Sequence, residues 1–86
     1  MNYRVLLSRR AESIFARVDA NLQKRLLARF EELGANPLDP RISKPLTGQA
    51  GMRSSRVGGW RIVFTIEQLT VEVLWIEPRG QVYKRL

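Results

Sequence analysis

The chain has 86 residues, 44% of them hydrophobic, and fifteen Lys and Arg against eight Asp and Glu give it a net charge of +7. Its length fits one small domain, and its apolar content argues for a folded core over disorder. Cysteine and histidine are both missing, which excludes disulfides, thiolate metal sites, a cysteine nucleophile and the commonest general base.

No apolar run approaches the roughly 18 residues of a membrane span. Arg4, Arg9, Arg10 and Glu12 break up the stretch where a signal peptide needs an apolar segment, so the expectation is a cytoplasmic protein without membrane contact. Twelve of the fifteen basic residues are arginine. The guanidinium fork matches phosphate oxygens in pairs, so the charge points to a polyanionic partner, nucleic acid first. The plainer reading is a basic surface that only keeps the chain soluble.

In chain order, residues 3–7 (YRVLL) read as a short first strand. Ser8 can cap a helix whose apolar positions Ala11, Ile14, Phe15 and Val18 recur at helical spacing. Asp19 can cap a second helix. There Leu22, Leu26, Phe30 and Leu33 share one face, with Gln23, Lys24, Arg25 and Arg29 mostly elsewhere and Gly34 as the expected stop. Residues 35–50 hold three of the four prolines and read as a long loop, the kind of segment that often carries function. The period then becomes two. Residues 52–57, 60–66 and 70–76 read as three strands, joined by Gly58-Gly59 as a two-residue hairpin turn and by Glu67-Gln68-Leu69. The third of these runs is apolar on both faces, as a central strand would be. The expected fold is α+β, in the order β-α-α-β-β-β, with a helical hairpin on one face of a small, mostly antiparallel sheet. Residues 1–86 are expected to form one domain.

Alternation places Trp60, Ile62, Phe64 and Ile66 on one face, suited to the helices, and Arg61, Val63 and Thr65 on the other. An arginine among apolar neighbours is thereby explained: it projects from the face the helices leave open. On the preceding strand Met52, Ser54 and Arg56 alternate with Arg53, Ser55 and Val57. The tail adds Arg79, Tyr83, Lys84 and Arg85, which the topology can bring beside the sheet. The competing role for each arginine is a surface charge or a local ion pair, for instance with Glu72 or Glu77.

These stretches carry a resemblance. Lys44-Pro45-Leu46-Thr47-Gly48, then Arg56 to Phe64 (RVGGWRIVF), then Arg79 followed four residues later by Tyr83, resemble in order and spacing the RelE/ParE toxin superfamily of type II toxin–antitoxin systems. The strand and two-helix hairpin ahead of them fit too, so the resemblance spans essentially the whole chain. It implies a RelE-like microbial ribonuclease fold. Its RelE-like branch implies a ribosome-dependent endoribonuclease that cuts mRNA in the A site by attack of the 2′-OH on the adjacent phosphate. Carried over by position, Arg61, Arg79 and Tyr83 are the expected catalytic residues, with Lys44, Arg53, Arg56, Lys84 and Arg85 contacting RNA. A cognate antitoxin, the ribosome and mRNA are the implied partners, with promoter DNA reached only through the antitoxin complex. No cofactor and no metal are expected.

The chain departs from the family pattern in its proton-transfer groups. Met52 and Ser54, with Arg53 between them, stand where active members carry lysines. Pro78-Arg79 replaces a His-Arg pair, and Val82 precedes Tyr83 where other branches have histidine. Lys44, Arg53, Lys84 and Glu77 are the nearby substitutes. Two other functions stay open: a ParE-like inhibitor of DNA gyrase without nuclease activity, and a non-toxic basic RNA-binding module.

Overall fold

A computed structural model describes residues 2–78. The elements are β1 (Arg4–Leu7), α1 (Arg9–Arg17), α2 (Ala20–Ala35), β2 (Lys44–Pro45), β3 (Met52–Val57), β4 (Trp60–Glu67) and β5 (Thr70–Pro78). The strands form one sheet in the order β1-β5-β4-β3-β2. β1 runs parallel to β5, and every other pairing is antiparallel.

Local chemistry sets the helix boundaries. The Ser8 hydroxyl accepts from the backbone N–H of Ala11 at 3.0 Å and donates to the Leu74 carbonyl at 2.6 Å, so one residue both caps α1 and fastens it to β5. Asp19 caps α2 by accepting from the Leu22 N–H at 2.8 Å. The hairpin between the helices is closed by the Gln23 amide, which donates to the Phe15 carbonyl at 2.9 Å.

Leu22, Leu26, Phe30 and Leu33 are all buried, as their spacing predicts. They pack with Ala11 of α1 against Val57, Ile62, Phe64, Val71, Val73 and Ile76 of the sheet, and Phe15 meets Phe30 with ring centroids 6.1 Å apart. Val71 and Val73 keep the period of two, but Ile76 reaches the same face only because β5 carries a bulge. Val63 pairs with Trp75 and Phe64 pairs with Val73, so Leu74 is the extra residue. Without that insertion Ile76 and Glu77 would exchange faces.

Two expectations need correction. The loop expected over 35–50 contains β2, two residues long, which pairs Lys44 with Ser54 and Pro45 with Arg53. Pro45 has no N–H for a ladder, so the pairing is short and lies at the sheet edge. Gly34 does not stop α2, which continues to Ala35 with Asn36 as its C-cap. Its role is close approach. The Gly34 carbonyl accepts from the Tyr3 N–H at 2.6 Å, and a Cβ there would sit 3.3 Å from the Tyr3 carbonyl oxygen.

The expected hairpin turn is present. Val57 pairs with Trp60 across Gly58-Gly59, and Gly58 takes φ +58°. A positive φ at the first turn position alone is the type II′ pattern, which glycine adopts without strain.

Candidate functional site

Register decides which side chains share the sheet face that the helices leave open. Across β3, β4 and β5, Arg56 pairs with Arg61 and Arg61 with Glu77, so the three stand in one row. The next row on that face is Ser54, Val63 and Trp75, with Lys44 of β2 beside Ser54. These residues, except Val63, line an open cleft of about 730 Å³ together with Arg29, Arg41 and the loop from Pro40 to Gln49. Val63 is wholly buried although it faces away from the helices, so it takes no part in the cleft surface.

Two arginines directly opposite one another on neighbouring strands repel, because cross-strand Cβ atoms sit only about 5 Å apart. Glu77 relieves part of this. Its Oε2 accepts from both Nε and Nη2 of Arg61, the former at 2.9 Å, and its Oε1 accepts from the Trp75 indole N–H at 3.0 Å. Arg61 is 34% exposed and Glu77 25% exposed, so the pair is fixed without being sealed from solvent. Trp75 is further covered by Arg10 of α1, whose guanidinium carbon lies 5.0 Å from the ring centroid. The site is thus a relay from Arg10 through Trp75 and Glu77 to Arg61, facing Arg56.

The wall of the cleft is built by the segment before β2. Asp39 organises it: its carbonyl accepts from the N–H groups of Ile42 and Ser43, and its carboxylate from the Arg41 N–H at 2.9 Å and the Arg41 guanidinium. These Arg41 contacts hold the Asp39 carboxyl below its ordinary value of 3.8 and raise Arg41 in turn. Arg29 crosses from α2 to the exposed edge of β3, where its Nη1 donates to the Ser55 hydroxyl at 2.8 Å and to the Arg56 carbonyl at 2.6 Å.

Of the residues expected from sequence, Arg61, Arg56 and Lys44 meet in this cleft. Arg53 does not. It pairs with Phe64 on the helix-covered side, and its guanidinium donates to the Ser43 hydroxyl at 3.1 and 2.8 Å, which in turn donates to the Pro37 carbonyl. That network gives Arg53 a loop-anchoring role, so it is not assigned to the RNA contacts. Arg79, Tyr83, Lys84 and Arg85 lie outside the described residues. Sequence reasoning missed Arg29, Arg41 and Trp75, and it named Glu77 only as one candidate partner. Only the register singles out Glu77: with Trp60 opposite Pro78, Arg61 falls opposite Glu77.

A family model described as the ParE toxin of the type II toxin–antitoxin system, parDE, matches residues 5–83. The chain belongs to the RelE/ParE toxin family. This toxin shares its fold with a chain of the archaeal RelE–RelB complex from Pyrococcus horikoshii OT3, at a TM-score of 0.80 and 20% identity, covering 94% of this chain and 99% of that one. A chain of the toxin–antitoxin complex RelBE2 from Mycobacterium tuberculosis superposes with TM-score 0.77 and 26% identity, over 92% and 100% of the two chains. The isolated RelE toxin of E. coli gives 0.76 and 18%, over 96% and 93%. No curated protein matches the toxin. Among the described residues, no helix is long and apolar enough to cross a membrane.

Proposed function

We propose that this toxin is a ribosome-dependent mRNA endonuclease and that the Arg56–Arg61 row receives the scissile phosphate. The observation that carries the reading is this cross-strand arginine pair, held on the open face within a basic cleft and only half neutralised by Glu77. An RNA phosphate supplies the missing negative charge. A guanidinium has five N–H donors, and Glu77 engages only those on Nε and Nη2 of Arg61, so donors remain for phosphate oxygens.

In the reaction, the 2′-oxygen attacks the adjacent phosphorus and gives up its proton to a base. The 5′-oxygen leaves and takes up a proton, so the products are a 2′,3′-cyclic phosphate and a 5′-hydroxyl. Arg61, with Arg56, stabilises the extra charge on the pentacoordinate phosphorus. Tyr83 and Arg79 are the proposed partners for proton transfer and leaving-group charge. They follow closely on Pro78, which pairs with Trp60, one step along the ladder from Arg61 and Glu77. The ribosome contributes by holding the mRNA in line for attack. The proposed partner is a cognate antitoxin that silences the toxin, in keeping with the toxin–antitoxin complexes of Pyrococcus horikoshii and Mycobacterium tuberculosis; promoter DNA is reached only through that complex.

The Arg61–Glu77 pair also favours a second reading, because a guanidinium already engaged suits a ParE-like gyrase inhibitor that binds without cutting. Inducing the toxin without antitoxin and mapping 5′ ends on a translated message and an untranslated copy separates the two. Cuts confined to the translated copy are expected. Growth arrest with intact mRNA overturns the nuclease reading in favour of the gyrase one.

A further inference from the structure

We infer that Trp75 is a nucleobase-stacking platform beside the phosphate site, and that Glu77 sets its orientation relative to Arg61. The inference rests on the nuclease reading and adds a residue that contacts the substrate's base. Three observations converge on it. First, Trp75 lies on the open face diagonally across from Arg61, since Arg61 pairs with Glu77 two residues further along β5. Diagonal neighbours on one sheet face are about 7 Å apart. That separation suits one nucleotide whose phosphate sits on Arg61 and whose base reaches Trp75.

Second, the ring is pre-oriented. Its N–H donates to Oε1 of Glu77 at 3.0 Å, while Oε2 of the same carboxylate holds Arg61. One carboxylate therefore fixes the angle between the group that binds phosphate and the group that binds the base. Trp75 is half-buried and lines the cleft rather than the core, so its ring is within reach of a ligand there.

Third, the ring already carries a planar cation. Arg10 is exposed and stands 5.0 Å above the centroid, too close for a base to slide between. At an exposed site such a contact is weaker than base–aromatic stacking. An incoming base displaces Arg10 by one layer and leaves its guanidinium over the base, a stacking arrangement common in single-stranded RNA recognition. Bases in a duplex are already stacked, so the platform is selective for unpaired RNA.

The test uses the full-length toxin carrying Trp60→Phe, which leaves Trp75 as the sole indole. It is titrated with a short single-stranded RNA bearing 2′-O-methyl groups, which cannot be cut. Saturable quenching of Trp75 emission is expected, with none for the same sequence as a duplex. Trp75→Leu is expected to weaken binding of the probe, read by a fluorophore on the RNA, on the order of 5- to 150-fold. Trp75→Phe should restore most of the loss. Absence of quenching at saturating probe, or binding by Trp75→Leu within twofold of its parent, overturns the inference. If Trp75→Leu fails to fold, the quenching result alone decides. Quenching in a toxin that leaves translated mRNA intact sinks the nuclease reading and keeps the platform. Cleavage at the parental rate by Trp75→Leu does the reverse.

Discussion

If Arg61 receives a phosphate as proposed, Glu77 sets how much of its guanidinium remains for it. It satisfies the donors on one side of the guanidinium and cancels a charge in a row that would otherwise hold two arginines. Changing Glu77→Gln keeps the shape and removes the charge. RNA affinity at low salt is expected to rise on the order of fivefold, the effect of roughly 1 kcal/mol that a unit charge exerts at about 4 Å in water. Stability should fall by no more than about 1 kcal/mol, because the pair is partly exposed. Fluorescence anisotropy of a labelled RNA and a thermal melt check both numbers. Unchanged affinity would mean that Glu77 does not compete with phosphate.

At the scale of elements, Gly34 and Asp39 hold the site's supports in place. A side chain at Gly34 must push against the Tyr3 carbonyl just ahead of β1 and the Val5 side chain within it, and Tyr3 is pinned to the same residue by the Tyr3–Gly34 hydrogen bond. Gly34→Val is expected to cost about 1–3 kcal/mol, seen as a lower thermal midpoint. Asp39 titrates in the opposite direction from a buried acid. Its carboxyl is held below 3.8 by the Arg41 hydrogen bonds, so the stabilisation it gives is present above the unfolded value and is lost as pH falls through the folded one. Asp39→Asn should therefore narrow the stability difference between pH 5 and pH 2, and equal slopes in parent and variant would count against this account.

These same elements divide what the sequence discloses from what it conceals. The caps at Ser8 and Asp19, the Gly58-Gly59 turn and the buried stripe of α2 depend on residues a few positions apart, so local pattern finds them. Gly34 is misread as a stop because its reason is a strand more than 25 residues away in sequence. β2 is two residues long and contains a proline, which leaves no periodic signal. Alternation correctly puts Arg61 and Arg56 on the open face. It cannot choose between Glu72 and Glu77 as the partner of Arg61, because that depends on the bulge at Leu74 and the register it sets. Arg53 is lost from the site for a similar reason: its partner, Ser43, belongs to a loop whose path no periodicity records.

If the toxin binds RNA as proposed, its net charge of +7 gives that binding a large sequence-independent component. Affinity for a single-stranded probe should fall steeply with salt, with log K decreasing by about 0.7 per phosphate neutralised for each tenfold rise in salt. Arg56→Ala should lower that slope by about one such contact, and a slope equal to that of the parent would remove Arg56 from the phosphate row.

Whether Arg61 stabilises the reacting phosphate is read from single-turnover cleavage of mRNA on programmed ribosomes. Parent toxin and Arg61→Ala are compared at saturating toxin, so that the rate reports the chemical step. A folded Arg61→Ala variant is expected to lose roughly 100- to 1,000-fold in that rate. A variant that cuts as fast as its parent, needing only more toxin to do so, would contradict that stabilising role and leave Arg61 as a binding residue alone.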